Sequence, residues 1–424
     1  MHNIKKNTLF SKDFILVAAG QIISIFGNQI LRYALPLYLL NQTGSAVLFG
    51  TIMAFSVIPM ILLFPIGGII ADRANKRNIM VILDFSTAIL ISLFYLLLGK
   101  TDIVPLMAVT MMLLFGIQGA YQPAVKASVP TLVKTEQLMK ANSVVDVINS
   151  VASMAGPVIG GLLFSVLGLT SILYVSIGCF FASAIMELFI HIPFKKMHAT
   201  GNIFVIGLCD LKDSFGFMLK KQPVLWKVSL IFAASNLLLT SLILIGMPVI
   251  ITQHLGFATD AANRLYGYAQ GILAAGAVFG GLLAGILSNR LSAKASPALL
   301  VGCAFCVLAA GFALQTLQSP MAAYLVLSTG SGLLLTLHTL FQIRMMTYLQ
   351  LLTPGDLIGK VISCFICVVM CTNPLGQFIY GFVFEHTGKI YLPFYAAAIA
   401  MIAITVFTRR VFYGIDSLTA KQAK

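Results

Sequence analysis

Long apolar segments separated by short polar stretches occupy almost the whole of this chain. Each segment approaches or exceeds the roughly 20 apolar residues that a helix needs to cross a bilayer. The segments are continuous and rich in Leu, Ile, Ala and Phe, without the alternation of transmembrane β-strands. The pattern therefore predicts an all-α membrane protein with twelve transmembrane helices. The predicted helices lie at about residues 14–40, 46–70, 79–99, 105–125, 142–167, 170–193, 223–252, 265–288, 297–317, 320–343, 361–384 and 391–412.

The composition agrees with a protein that crosses the membrane many times. Of its 424 residues, 59% are hydrophobic and only 9% are charged, and the mean hydropathy is +0.97. A water-soluble domain could not cover its surface with so few charged residues. Lys5, Lys6 and Lys12 precede an apolar segment that is too long for a cleavable signal peptide. We therefore expect the first helix to remain in the mature chain.

The basic residues lie mostly on one side of the predicted helices. Of 27 Lys and Arg residues, only four fall in the opposite half: Arg32, Lys100, Arg264 and Lys389. Cytoplasmic loops carry the excess of basic residues in membrane proteins. We therefore expect both termini to face the cytoplasm, in the plasma membrane. This bias and attraction to anionic lipid explain the net charge of +14 without a nucleic-acid partner.

The two halves of the chain resemble each other. "GIIADRANKR" from Gly68 matches "GILSNRLSAK" from Gly285, and Pro157 and Pro374 are separated by the same number of residues. Parallel six-helix repeats are an architecture of secondary transporters, with the substrate site between the halves. The pattern predicts two pseudo-symmetric six-helix bundles and a cytoplasmic linker. Their predicted bounds are 1–193 and 223–424 for the bundles and 194–222 for the linker.

The loop between the second and third segments resembles the signature loop of the major facilitator superfamily. It reads "GGIIADRANKRN", with Asn75 where the family has glycine, and we expect Asn75 to adopt the positive φ of a tight turn. The resemblance implies a gating loop that stabilises the outward-facing state. The alternative is that its charges only anchor the topology. The loop candidates are Gly68, Asp72, Arg73, Lys76 and Arg77.

The fifth segment contains "GPVIGG", which resembles a motif of the exporting, antiporting branch of that superfamily. Residues 21–46 and 121–143 are similar to macrolide-efflux and siderophore-exporter members, and the resemblance covers all twelve segments. It implies the major facilitator fold and a drug:proton antiporter. Small residues at this spacing also permit tight helix packing, and both interpretations can hold. The motif residues are Gly156, Pro157, Gly160 and Gly161.

Acidic residues inside the predicted helices are candidates for proton coupling, because charges within a membrane are costly and usually functional. The first helix has Asn28 where relatives often carry an acid. Asp146 is the first choice, since it shares a polar helix face with Asn149 that leads to Pro157. An ion pair with Lys126 or the loop arginines is the alternative for Asp146. The candidates are Asp146, Asp84 and Glu187.

Polar residues at helical spacing on the first, fourth, seventh and tenth segments predict faces that line a substrate cavity. These four helices line the pocket in the superfamily that the chain resembles. Large apolar and aromatic side chains among them favour a bulky, partly hydrophobic substrate, and interhelical hydrogen bonding is the alternative role. The candidates are Gln21, Asn28, Arg32, Gln118, Tyr121, Gln122, Asn236, His338 and Gln342.

The sequence carries no recognisable motif for catalysis, for a cofactor or for a metal. The nearest approach to a phosphate-binding loop is "GDLIGKV" at 355–361, whose glycine spacing is wrong for ATP. Seven cysteines, mostly within apolar segments, do not predict a disulfide framework. His338 has no second ligand at metal-binding spacing and is expected to be a hydrogen-bonded helix residue.

Together these features predict a secondary active transporter and not an enzyme. We expect proton-coupled efflux of a bulky, partly hydrophobic drug or metabolite by alternating access, such as a macrolide or a siderophore. The expected partners are that small molecule, protons and the lipid bilayer, with the protein acting as a monomer. An importer of a small nutrient, or a non-transporting sensor or scaffold on the same fold, are the alternatives.

Overall fold

The structure is a computed structural model of the chain, and it describes residues 11–134, 137–192, 216, 218–219, 222–287, 295–353 and 357–422. Most of the predicted linker and the second copy of the signature loop, at Asn289 and Arg290, lie outside these residues. The described residues form helices without a β-strand. Eleven helices in this part of the chain are long and apolar enough to cross a membrane.

The helices follow one another with short connections. The first five are α1 (Lys12–Thr43), α2 (Ala46–Arg73), α3 (Lys76–Leu97), α4 (Ile103–Leu132) and α5 (Leu138–Leu188). The others are α6 (Pro223–His254), α7 (Thr259–Ile286), α8 (Ser296–Thr316), α9 (Pro320–Leu352), α10 (Ile358–His386) and α11 (Leu392–Gln422). Within α6, Asn236–Thr240 and Ile250–His254 are π-helical.

Helix α5 contains two of the predicted segments. Gly168, with φ 72° and ψ 179°, interrupts its helical backbone, and glycine adopts a positive φ without the steric cost of a Cβ. Before Gly168, α5 runs parallel to α1, and after it α5 runs antiparallel to α1. The neighbouring pairs are Gln29–Gly156 and Tyr33–Gly160 before the break, and Gly27–Cys179 and Gly20–Glu187 after it. The chain therefore reverses at Gly168, and the predicted all-α membrane protein is confirmed.

Contacts divide the chain into two compact units. The first contains residues 1–43, 55–200 and 263–268, and the second contains 44–54, 201–262 and 269–424. The main division falls within the predicted linker. Residues 44–54, at the start of α2, group with the second unit. Residues 263–268, near the start of α7, group with the first unit. The domain bounds stay a prediction.

In the first unit, α2 and α4 touch through their backbones. A Cβ on Gly119 would lie 2.7 Å from the carbonyl oxygen of Met60, and a Cβ on Gly67 would lie 2.7 Å from the Cα of Ala120. These contacts fix the rotation of α4 about its axis. Tyr121, which follows Ala120, is thereby turned towards α1 and α5.

In the second unit, a carboxylate from α10 caps the start of α2. Glu385 Oε2 accepts hydrogen bonds from the backbone N–H groups of Ala46 (2.6 Å) and Val47 (3.2 Å). Its Oε1 accepts one from the hydroxyl of Ser45 at 3.1 Å. A carboxylate at a helix N-terminus satisfies free N–H groups and interacts favourably with the helix dipole. This contact explains why residues 44–54 belong to the second unit.

Candidate functional site

A recess in the first unit lies among α1, α3, α4 and α5. Its empty space is about 320 Å³, a figure that includes the open solvent at its mouth. Its polar lining consists of Ser24, Asn28, Asp84, Thr87, Gln118 and Gln122. Its apolar and aromatic lining consists of Ile25, Ile117, Tyr121 and Phe180. The recess therefore offers hydrogen-bonding groups beside apolar surface.

Helical spacing brings the polar side chains to this recess. Ser24 and Asn28 are one turn apart on α1, and Gln118 and Gln122 are one turn apart on α4. Side chains three or four positions apart lie on the same face of a helix. The structure therefore places four predicted cavity residues in the lining: Asn28, Gln118, Tyr121 and Gln122.

Arg32 lies one turn beyond Asn28 and contacts α4. Its Nη1 donates a hydrogen bond of 2.9 Å to Gln118 Oε1. Its guanidinium lies 4.3 Å from the centre of the Phe115 ring, a distance that permits a cation–π interaction. Two predicted cavity residues are thus bonded to each other, and the positive charge of Arg32 is directed at α4.

The hydroxyl group of Tyr121 connects α1 with the last turns of α5. It accepts a hydrogen bond of 2.6 Å from Gln21 Nε2 and donates one of 2.7 Å to Glu187 Oε1. Gln21 is 1% exposed, Tyr121 5% and Glu187 0%. Three residues that the sequence assigned to two separate roles, cavity lining and proton coupling, therefore form one buried chain of hydrogen bonds.

Asp84, the acidic residue of α3, joins the same region. Its Oδ1 accepts a hydrogen bond of 3.0 Å from the hydroxyl of Ser24, and the residue is 3% exposed. Several buried oxygens here have no hydrogen-bond partner among the described residues. They are Gln21 Oε1, Asn28 Oδ1, Asp84 Oδ2 and Glu187 Oε2. All four are acceptors.

Asp146, the first choice for proton coupling, lies elsewhere on α5. Its side chain is exposed, and so is the side chain of Lys126, its proposed ion-pair partner on α4. It does not line the recess. Its role stays a prediction.

The cavity candidates of the second unit do not line this recess. Asn236 starts a π-helical turn of α6, and its Nδ2 donates to the carbonyl of Phe232 at 3.1 Å. His338 Nε2 lies 3.1 Å from the hydroxyl of Ser235, as expected for a hydrogen-bonded helix histidine. Gln342 is exposed. Their part in substrate binding stays a prediction.

The predicted backbone conformation of Asn75 is wrong. Its φ is −67° and its ψ is 114°, an extended conformation, and its side chain accepts a hydrogen bond of 3.1 Å from the N–H of Arg77. Asn75 is therefore the N-cap of α3, a position that favours Asn and requires a non-helical backbone. No residue other than glycine has a positive φ in the described chain.

The other loop candidates surround this cap. A Cβ on Gly68 would meet no atom within 4 Å. Arg73 is exposed, and Lys76 and Arg77 are half-buried. The side chain of Asp72 lies outside the described residues. The gating role of the loop stays a prediction.

The "GPVIGG" motif lies where α5 packs most closely on α1 and α7. A Cβ on Gly156 would lie 2.6 Å from the Cβ of Gln29, and a Cβ on Gly161 would lie 2.9 Å from the Cα of Gly267. A Cβ on Gly160 would lie 3.4 Å from Cδ1 of the Tyr33 ring. Pro157 lies inside α5, and the only non-helical backbone angles within this helix are at Gly168. The small residues therefore permit close helix contacts in the first unit.

Sequence reasoning did not single out four lining residues, Ile25, Thr87, Ile117 and Phe180. Thr87 follows Asp84 by three positions, so the helical spacing on α3 was a usable signal. Phe180 lies in an apolar run of α5. Nothing in that run distinguishes a cavity-facing Phe from a lipid-facing one.

Comparisons with known proteins agree with this architecture. The sequence model of the family described as Major Facilitator Superfamily matches residues 17–365. Macrolide efflux protein A of Streptococcus pyogenes is 26% identical over 175 residues, which are 41% of this chain. The match spans 43% of that relative, less than half of its length.

Two further similarities extend over nearly the whole chain. An uncharacterized MFS-type transporter of Bacillus subtilis, YfiS, is 22% identical over 403 residues, 94% of this chain and 92% of that protein. The crystal structure of a POT family transporter in complex with 5-aminolevulinic acid has a TM-score of 0.72 at 12% identity. It covers 97% of this chain and 99% of that one. At this identity the structural likeness shows a shared fold.

Proposed function

Because the chain belongs to the Major Facilitator Superfamily, we propose that this multi-pass membrane transporter exports a bulky, partly hydrophobic small molecule in exchange for protons. The observation that carries the proposal is the recess of the first unit, where amide and hydroxyl groups lie beside Ile25, Ile117 and Phe180. Such a lining suits a ligand with a large apolar body and a few polar groups.

Two features favour export over uptake. The first is the similarity to macrolide efflux protein A, which is named for the efflux of macrolides. The second is the "GPVIGG" motif, which resembles that of antiporting members. A macrolide is accordingly the first substrate to test.

The proposal includes an orientation and a gate. Both termini face the cytoplasm of a plasma membrane, so the loop around Asn75 is cytoplasmic. In this orientation Asp72 and Arg73 make their contacts in the outward-facing state only. The exchanged proton then acts by shifting the balance between the two states, because a ligand shifts an equilibrium by its difference in affinity.

Transport by inverted membrane vesicles tests the proposal. We expect a radiolabelled macrolide to accumulate in vesicles with an acidic lumen and to release protons from it. Asn28→Ala removes one hydrogen-bonding group from the recess. Loss of a hydrogen bond worth about 0.5–1.5 kcal/mol raises KM by about 2- to 13-fold.

Gln42→Ala is the matched control, because Gln42 lies on the same helix as Asn28, is exposed and does not line the recess. We expect its KM to equal that of the parent. Accumulation only in right-side-out vesicles would contradict export and favour an importer. Absence of transport in both orientations for a panel of macrolides would contradict the proposed substrate.

A further inference from the structure

We propose that Asp84 and Glu187, connected through Ser24 and Tyr121, form a two-carboxylate site that holds one exchangeable proton. The inference deepens the proposed function and rests on it, because it names the groups that bind the exchanged proton. It rests on the hydrogen bonds, the burial and the unpaired oxygens of this cluster.

The first argument is the absence of a compensating cation in the described chain. The side-chain donors that contact the two carboxylates are hydroxyl groups, Ser24 at Asp84 and Tyr121 at Glu187. The guanidinium of Arg32 on α1 is directed at Gln118 and Phe115. Two negative charges without a counter-ion are very unfavourable in an apolar interior. Binding of a proton removes one of them.

The second argument is that the unpaired buried side-chain atoms of this cluster are all acceptors. Asp84 Oδ2, Glu187 Oε2 and Gln21 Oε1 have no donor among the described residues. The amide of Gln21 already donates to Tyr121. A proton on either carboxyl oxygen forms one O–H bond, lowers the negative charge of the pair by one unit and supplies a donor to a group of atoms that lacks one.

The third argument is the connection between the two carboxyl groups. Tyr121 donates to Glu187 at 2.7 Å, and Ser24 donates to Asp84 at 3.0 Å. Gln21, which donates to Tyr121, and Ser24, which donates to Asp84, are three positions apart on α1, so both bonds start from one face of that helix. Protonation of one carboxyl group therefore changes the charge that the other experiences, so the pair binds a proton as a unit.

The two members differ in access. Asp84 lines the recess, whereas Glu187 is fully buried behind Tyr121 and packs against Gly20 of α1. Water or a substrate in the recess reaches the pair through Asp84. A substrate that fills the recess is therefore placed to influence release of the proton, as an exchange mechanism requires.

Apart from Tyr121, the other titratable groups that the structure describes on the surrounding helices do not line the recess. Lys126 on α4 is exposed, and Cys179 on α5 packs against Gly27. Asp13 on α1 accepts a hydrogen bond from the backbone of His191 after α5. At the first turn of α3, Lys76 and Arg77 are half-buried. Of the two acids of the proposed site, Asp84 lines the recess and Glu187 is bonded to Tyr121, which also lines it.

Infrared difference spectroscopy of the full-length protein in lipid nanodiscs tests the site without any transport. We expect the C=O stretch of a buried protonated carboxyl group at neutral pH, with a shift in D2O. Asp84→Asn and Glu187→Gln should each remove or halve this band. Tyr121→Phe should shift it to higher frequency, because one hydrogen bond to the carboxyl group is lost.

Asp102→Asn is the matched control, since it makes the same chemical change at an exposed residue between α3 and α4. We expect its spectrum to equal that of the parent. A band that persists in both Asp84→Asn and Glu187→Gln overturns the inference, and so does a band that disappears in Asp146→Asn. Should either carboxylate variant fail to fold, the shift in Tyr121→Phe decides, because it leaves both acids in place.

Two further arms separate the outcomes. In the first, the infrared spectrum is recorded with sodium in place of potassium in the buffer. If Na⁺ removes the carboxyl band at constant pH, the site binds a metal cation and the proposed proton site is overturned. Vesicle transport is measured in parallel. The expected band with no macrolide transport contradicts the proposed function alone, whereas proton-driven transport with an unaffected band contradicts the site alone.

Discussion

At the scale of single residues, Tyr121 both lines the recess and forms a hydrogen bond with a buried acid, Glu187. Its hydroxyl group receives one hydrogen bond from Gln21 and gives one to Glu187. Phenylalanine would fill the same space without either bond. The local conformation of Asn75 is a second case where one polar group decides the structure, because its side chain ends the loop and starts α3.

Substitution of Asn75 distinguishes an N-cap of α3 from a turn residue with a positive φ. An N-cap predicts that Asn75→Ala lowers the free energy of unfolding by about 1 kcal/mol, that Asn75→Asp changes it little, and that Asn75→Gly lies between. Equilibrium unfolding of the purified protein in mixed micelles measures these differences. A positive-φ turn predicts the opposite order, with Asn75→Gly more stable than the parent.

At the scale of helices, glycine positions set how closely α5 approaches its neighbours. Gly156 and Gly161 lie at contacts where an added methyl group has no room, against Gln29 of α1 and Gly267 of α7. Gly178, on the second part of the same helix, has no atom within 4 Å of an added Cβ. The same residue type therefore has different roles on one helix.

Alanine substitutions make this contrast measurable. Gly156→Ala would place its methyl group 2.6 Å from the Cβ of Gln29, so α1 and α5 must separate, and we expect a loss of about 1–3 kcal/mol in unfolding free energy. Gly178→Ala is the control and should be neutral or more stable by about 0.5–1 kcal/mol. Equal stability of the two variants in the same unfolding assay would show that α1 and α5 adjust without cost.

At the scale of the whole molecule, the reversal at Gly168 settles the number of crossings that α5 contributes. With two antiparallel parts in α5, the described helices correspond to the twelve predicted segments. Twelve crossings, an even number, are the basis of the prediction that both termini lie on one side of the membrane. The distribution of basic residues then favours the cytoplasmic side.

Cysteine labelling of intact cells tests this topology. In a variant without the seven native cysteines, Thr101→Cys and Thr259→Cys should react with a membrane-impermeant maleimide from outside. Asn75→Cys and Thr200→Cys should react only after permeabilisation. Labelling of position 200 from outside would contradict the predicted arrangement of the two bundles and the cytoplasmic linker.

The sequence alone determined the features that depend on neighbouring residues. The length and continuity of the apolar segments predicted the helices, and the pattern around Asp72 and Arg73 resembled the correct superfamily. Polar spacing on α1 and α4 also predicted Asn28, Gln118 and Gln122 as lining residues, because a helix repeats its faces every three or four positions. These signals are local, so they are readable without the fold.

Only the tertiary structure decided which acidic residues meet. Asp84 and Glu187 are distant in sequence and come together because α3 and the end of α5 both pack near α1. Asp146 is exposed although its neighbour Val145 is buried against Phe14 and other apolar residues. Adjacent helix positions point about 100° apart, since a turn contains about 3.6 residues. Burial therefore depends on how α5 is rotated against its neighbours, which the sequence does not show.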